Sequence, residues 1–338
     1  MRSAAHTVKG QGVGACYEEQ VNLVKTGLSS EFEVSENKRG KFDIVHYHTI
    51  NLSYFIEHFF ANKQTIGIGY VHFLPDTLET SIQLPKFLKK IFYRYVLTFY
   101  NSMDYLVTVN PYVIKKVQDL GITKPKVSCI PNFVSSKSFY PMSMNSIMEK
   151  KKEWGIATDK FVVLGVGQLQ RRKGIFDFIE TAKKLPNIEF LWAGGFSFGK
   201  ISDGYDQIKK LIDHPPQNVT FLNIIDRSDM PTLYNMCDIM FLPSFEELFP
   251  MAILEALCCK KPVLLRDVPL YQDILFDYYL KGNSVEEFVK VLSEVKKDEE
   301  LYLQWCEKSW KCHHFYLEES ALKQWESFYM RAAKSGKA

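Results

Sequence analysis

The sequence predicts an α/β protein made of two doubly wound, Rossmann-like domains facing each other across a cleft. Three observations carry this. Short apolar runs alternate with helical patterns almost from end to end, which implies parallel sheets with right-handed crossovers. The alternation lapses once, in a Ser-, Pro- and Lys-rich stretch near residues 141–150, and then resumes. At 338 residues the chain is long enough for two domains of ordinary size.

The elements follow in order. MRSAAHTVKGQGVG offers at most a stub of strand before Gly10, Gly12 and Gly14, so a few residues are expected to be missing upstream. A helical pattern over residues 17–28 leads to a strand-like stretch at 32–34, a charged turn and a buried strand at 42–48. Helix 52–60, strand 65–72, helix 84–100, strand 105–109, helix 111–120 and strand 127–130 complete a first domain, taken as residues 1–145. In the second, residues 146–315, strands are expected at 161–166, 188–193, 219–222, 239–242 and 263–265. Helices 175–185, 205–212 and 230–236 alternate with them, and the tail is helical at 285–295, 301–310 and 317–330.

Composition narrows the function. A net charge of +3 gives no global field for nucleic acid. The seven cysteines form no C-x-x-C pair and lie at no zinc spacing, as expected of reduced thiols in a cytosolic protein. No apolar run reaches the roughly 18 residues of a membrane span, and no signal peptide is recognisable. The sequons at Asn51 and Asn218 are therefore read as chance matches.

The stretch at residues 239–267, IMFLPSFEELFPMAILEALCCKKPVLLRD, reads as strand, loop, helix and strand. Glu247 stands at the mouth of the helix and Glu255 two turns inside it, at the strand end where open α/β sheets bind ligands. GVGQLQRRKGI, at residues 165–175, puts Arg171, Arg172 and Lys173 at another helix start, which suits the macrodipole only if an anion sits there. Carboxylates hold vicinal hydroxyls and cations hold a diphosphate, so the two loops together suggest a nucleotide-sugar. No D-x-D motif is present, so neither a metal nor another cofactor is indicated. Gly194, Gly199 and Lys200 match G-x-x-x-x-G-K, but Ile201 replaces the magnesium-binding Ser or Thr, and the P-loop reading is rejected.

In the first domain, the loop around Gly12 is a glycine-rich turn before a helix, able to approach a phosphate closely. His46, His48 and His72 end two strands of one sheet, with His72 the best exposed by its loop. Lys86, Lys89, Lys90 and Arg94 fall on one face of the helix at 84–100, with aromatic residues on the other, a pattern that fits an anionic lipid surface as well as it fits an ordinary solvated face.

GVGQLQRRKG, MFLPS, the E-x7-E of Glu247 and Glu255, and KPVLL resemble retaining glycosyltransferases of family 4, which have the GT-B fold. IPNF, YVHFLPD and the glycine loop extend the resemblance over nearly the whole chain. It implies that Glu255 holds the ribose, Glu247 the transferred hexose and Lys173 the phosphate. It further implies that backbone amides at Phe249 and Met251 meet the donor, that His72 and Gly12 face the reacting centre, and that a terminal helix at 316–332 crosses back to the first, acceptor-binding domain. Gln168 departs from the family's usual arginine, for which Arg171 or Arg172 is the candidate substitute, and Lys260-Lys261 departs from a Gly before P-V-V. Within the family, KGQGVG, YVHFLPDTLE, WAGGFSFGK and ELFPMAILEA most resemble bacterial enzymes that extend glucosyl-diacylglycerol to a diglycosyl lipid, the lipoteichoic acid anchor. The expected substrates are thus UDP-glucose or UDP-galactose and a glycolipid acceptor, handled by a cytoplasmic protein peripheral to the inner face of the membrane. A different acceptor, or a non-catalytic nucleotide-sugar binder, remains open.

Overall fold

A computed structural model of the chain describes residues 1–5, 12–75 and 85–335. The chain forms two compact units. Among the described residues, one takes the chain up to Phe133 together with the C-terminal helix Glu318–Lys334, and the other runs from Val134 to Leu317.

The first unit is built on a four-stranded parallel sheet in the order β1 (Ile44–Tyr47), β2 (Ile66–Val71), β3 (Tyr105–Thr108), β4 (Lys126–Cys129). Its helices are α1 (Gly12–Gly27), α2 (Leu52–Phe59), α3 (Lys86–Ser102) and α4 (Pro111–Asp119). Alternation along the strands sorts these to two faces. Tyr47 points to α2 and α3, its ring 5.8 Å from His58 and 6.1 Å from Phe99. His46 points the other way, its ring 5.6 Å from Trp325 on the C-terminal helix. Gly67 lets α2 approach the sheet, because a Cβ there would lie 2.4 Å from the His58 ring. Among the described residues, the N-terminal stub makes one parallel bridge, Arg2 to Tyr47.

The second unit has a six-stranded parallel sheet in the order β10-β9-β8-β5-β6-β7. Its strands are β5 (Val162–Val166), β6 (Glu189–Ala193), β7 (Val219–Asn223), β8 (Ile239–Leu242), β9 (Val263–Arg266) and β10 (Leu280–Gly282). Its helices are α5 (Met144–Glu153), α6 (Ile175–Lys184), α7 (Tyr205–Asp213), α8 (Met230–Met236), α9 (Met251–Cys258), α10 (Gln272–Leu275), α11 (Val285–Lys297) and α12 (Glu299–His313). The chain moves outward from β5 through β6 to β7, then returns to the other side of β5 as β8. The order therefore reverses between β5 and β8, and the carboxyl ends of those two strands bracket the crevice where doubly wound sheets bind ligands. Beneath it, Phe178 stacks on Phe241 at 5.6 Å and meets Trp192 edge-on at 4.9 Å, all fully buried.

The structure differs from the sequence reading in three places. Residues 32–34 belong to no strand. Residues 141–150, read as linker, lie largely in α5, capped by Ser143 Oγ accepting from Ser146 N at 3.3 Å, and the division between units falls earlier, at Phe133. Only Lys151 is buried on α5, so the helix has no apolar stripe to betray it. The short α10 and β10 are additions to the expected elements.

Candidate active site

The cationic segment follows β5. Trp192 Nε1 donates to Gly167 O at 3.0 Å, so a core side chain fixes the loop's first carbonyl. Arg171–Lys173 form one turn of 3-10 helix, and Gly174, at φ 73°, starts α6. A Cβ on Gly174 would lie 2.2 Å from Pro243 O, so the loops after β5 and β8 touch through bare backbone. Phe245 N donates to Arg172 O at 2.8 Å, a second tie. From below, buried Arg266 on β9 donates Nε to Pro243 O at 3.1 Å and stacks 3.9 Å from the Phe245 ring.

Held this way, Lys173 Nζ donates to Glu247 Oε1 at 2.5 Å, with both side chains nearly excluded from water. Arg172 Nη1 donates to Glu246 O at 3.2 Å and lies 4.0 Å from Glu247 Oε2. Burial raises the Glu247 carboxyl, but Lys173 and Arg172 outweigh it and hold the acid below its ordinary value. Burial lowers the Lys173 ammonium by more than Glu247 lifts it. The charge mismatch seen in the sequence is therefore met from within the chain, by Glu247. Arg171 turns away, toward Asp203 at 3.8 Å, so Arg172 is the arginine placed beside buried Gln168's loop and the β8 loop.

Phe249 is buried against Tyr316, ring centroids 5.0 Å apart, and Met251 is buried as the first residue of α9. Pro250 precedes that helix and no side chain caps it, which leaves the amides of its first turn without a side-chain cap. Glu255, in the second turn, is buried. Arg227 Nη1 donates to its Oε1 at 2.7 Å and Tyr234 Oη to its Oε2 at 2.8 Å. Sequence reasoning missed Arg227, Tyr234 and Arg266. Arg227 reaches the site from the turn after β7, Tyr234 from α8 and Arg266 from β9, and none is marked by the carboxylate or glycine pattern of the sequence.

In the first unit Gly12 opens α1 and is exposed, while Gly10 lies outside the described residues. His72 follows β2 at its carboxyl end and is half-buried. Its ring lies flat on Tyr70, centroids 4.1 Å apart and planes within 2°, and its Nε2 is 3.4 Å from His48 Nδ1. His46 and His48 are buried, and His46 Nδ1 pairs with Tyr329 Oη at 2.8 Å. Tyr329 receives Gln20 Nε2 at 2.9 Å, so its own proton goes to His46. Burial lowers His72 to about 3 and lowers His46 and His48 well below the ordinary value, so all three imidazoles are neutral at physiological pH.

Lys86 opens α3; Lys90 and Arg94 are exposed and Lys89 is half-buried. The structure redraws the faces of this helix. Phe99 is buried and Tyr95 packs inward on Phe55, ring centroids 5.9 Å apart, but Phe87, Leu88 and Ile91 are exposed beside the cations. Apolar and basic side chains thus share the outer face instead of dividing between two. No helix among the described residues is long and apolar enough to cross a membrane.

The remaining motifs resolve simply. Gly199–Ile201 form an isolated 3-10 turn and α7 starts only at Tyr205, which is not P-loop geometry. The seven cysteines are in no disulfide. Lys260 takes φ 58°, the left-handed turn the family's glycine would supply, so that departure preserves the turn.

Comparison with known proteins bears on the family and the fold. Residues 146–311 match the model of glycosyl transferases group 1, and residues 33–137 that of glycosyltransferase family 4. The chain is 41% identical to an alpha-galactosylglucosyldiacylglycerol synthase of Streptococcus pneumoniae over 337 residues, covering 100% of this chain and 90% of that protein. It is 28% identical to a processive diacylglycerol alpha-glucosyltransferase of Acholeplasma laidlawii, covering 87% and 86%. In fold it is similar to Anabaena HepE, crystallised with UDP and glucose, at a TM-score of 0.77 and 16% identity over 95% of this chain and 96% of that one. With two parallel-sheet domains, family matches over residues 33–137 and 146–311, and 41% identity over 337 residues to an alpha-galactosylglucosyldiacylglycerol synthase, the chain belongs to glycosyltransferase family 4, of the GT-B fold.

Proposed function

We propose that the protein transfers glucose or galactose from a UDP-sugar, with retention, to a sugar hydroxyl of monoglucosyl-diacylglycerol, giving a diglycosyl diacylglycerol that anchors lipoteichoic acid. The observation that carries the donor half is the Lys173–Glu247 pair beside the uncapped start of α9, with Glu255 one turn inside that helix. Glu255, held by Arg227 and Tyr234, accepts hydrogen bonds from the ribose hydroxyls. Glu247 accepts from hydroxyls of the hexose, and the backbone amides of Phe249 and Met251, with Arg172, meet the diphosphate. Lys173 stabilises the charge that grows on departing UDP, which takes the acceptor proton on the same face as the leaving bond. Gln168 is placed in the donor loop as a neutral hydrogen-bonding group where a cation is usual. The chain has no D-x-D motif, so the reading assigns no metal or other cofactor to the donor.

His72, with its proton affinity pushed down to about 3, serves as a neutral hydrogen-bond partner for a sugar hydroxyl and not as an acid. Gly12 supplies backbone approach. The named lipid acceptors of the relatives, and the apolar and basic outer face of α3 with Lys90 and Arg94 exposed on it, support a glycolipid presented at an anionic surface, reached from the cytoplasmic side by a peripheral protein. Glu247→Gln is expected to lower transfer by at least about a hundredfold while UDP binding persists, since it removes an acceptor used in the transition state. Wild-type turnover by that variant would overturn the assignment.

A further inference from the structure

The sequence pattern directs attention to α3, but the neighbouring helix carries the more exposed apolar surface. In α2 no residue is fully buried. Phe55 and His58 turn inward, Phe55 against Tyr95 and Phe99, and His58 Nε2 lies 2.9 Å from Ser102 O. Leu52, Ile56 and Phe59 then form an outward stripe continued by Phe60, at 62%, 49%, 73% and 79% exposure. Tyr95 Oη donates to Ile50 O at 2.5 Å, so α2 runs alongside the second half of α3, on the same face of the sheet. The two helices' exposed apolar residues therefore belong to one side of the domain. Scattered single exposures are ordinary in folded proteins; a row of them beside a second such row is not.

Charge identifies the occupant. The one acid of α2, Glu57, is turned inward and takes Arg2 Nε at 2.9 Å, and α3 contains no acid. Lys63, just past Phe60, is exposed, as are Lys90 and Arg94. Among the described residues, an apolar stripe flanked by exposed Lys63, Lys90 and Arg94 fits the interface of an anionic bilayer.

We infer that α2 is a second membrane-inserting element, sinking Leu52, Ile56, Phe59 and Phe60 into the acyl boundary of an anionic leaflet beside α3. The inference rests on the proposed membrane-presented acceptor and extends it. Insertion of α2 supplies the part of lipid binding that salt does not screen, whereas the cations of α3 supply the screened part.

The test uses the full chain and vesicles of phosphatidylcholine with and without phosphatidylglycerol, free of glycolipid. Phe59→Ser with Phe60→Ser is expected to lower partitioning onto anionic vesicles by at least about tenfold, and to remove the binding that survives high salt. p-Cyanophenylalanine in place of Phe60 is expected to show a dehydrated nitrile stretch once vesicles are added. A nitrile that stays hydrated while the chain sediments with vesicles would overturn the role of α2 and leave α3 as the sole contact. Failure of the wild-type chain to bind anionic vesicles at all would instead overturn the underlying surface reading. A dimer in vesicle-free solution that the double substitution abolishes would assign the stripe to a second copy, against the inference.

Discussion

Glu247→Gln isolates the charge pair at the heart of the donor site. The Glu247 and Lys173 side chains are 7% and 11% exposed, so removing the acid leaves a buried ammonium without its counter-charge. Breaking such a pair costs roughly 3–5 kcal/mol. Glutamine keeps one acceptor oxygen for Lys173, which places the expected loss at the lower end, about 3 kcal/mol near neutral pH. The pH dependence fixes the cause. Glu247 is held below its unfolded value of about 4.3, so the pair's contribution is present above that pH and fades as pH falls through the folded value. The wild type therefore loses its advantage over the variant in acid. Lys173 is already lowered by burial, and without Glu247 it drops further, so the variant sheds its uncompensated charge and recovers stability as pH rises. Urea unfolding of both proteins from about pH 2.5 to pH 9 should show a deficit largest near neutrality, narrowing below about pH 4 and again toward the alkaline end. A deficit under about 0.5 kcal/mol at pH 7, the scale of a solvated surface pair, or one that ignores pH, would refute the reasoning.

Three further outcomes are expected. Gly174→Ala forces a side chain into the left-handed region against Pro243 O, and should cost at least about 2 kcal/mol in urea unfolding and weaken UDP binding measured by calorimetry. Lys90→Glu with Arg94→Glu should lower partitioning onto phosphatidylglycerol-containing vesicles by at least about thirtyfold, at about 1 kcal/mol for each cation lost, and change little on phosphatidylcholine alone. Because His46, His48 and His72 are all lowered by burial, the unfolded chain binds protons that the folded chain refuses once pH falls below about 6.5. Stability should drop by roughly 1.4 kcal/mol per pH unit for each of the three and for His313, which burial likewise lowers, to about 4, and His48→Gln should flatten the slope between pH 6.5 and pH 5 by about a quarter in chemical unfolding.

What the sequence made legible follows local pattern. The buried strands around Val45, Tyr70 and Phe241 announce themselves as apolar runs, and the E-x7-E spacing places Glu247 and Glu255 at one helix because helical periodicity is local. The helix Met144–Glu153 was hidden because its one buried contact is a lysine, Lys151, pairing with Asp238 at 4.0 Å. Arg227, Tyr234 and Arg266 were hidden for a different reason. Their roles exist only after β7, α8 and β9 are stacked beside the site, and nothing in their immediate neighbours marks them. The outer face of α3 was half legible: periodicity located the cations but not which aromatic residues the sheet would cover. That depends on α2, whose Phe55 claims Tyr95 and Phe99 and leaves Phe87, Leu88 and Ile91 outside.

Incubating the purified chain separately with UDP-glucose and UDP-galactose, with and without glucosyl-diacylglycerol vesicles, and identifying the products, tests the central claim most directly. The account predicts a diglycosyl diacylglycerol carrying an α-linked new hexose from one of the two donors, formed only when the glycolipid is present and lost in Glu247→Gln. UDP-sugar binding without glycolipid product, or transfer to a lipid-free acceptor that vesicles do not stimulate, would contradict it.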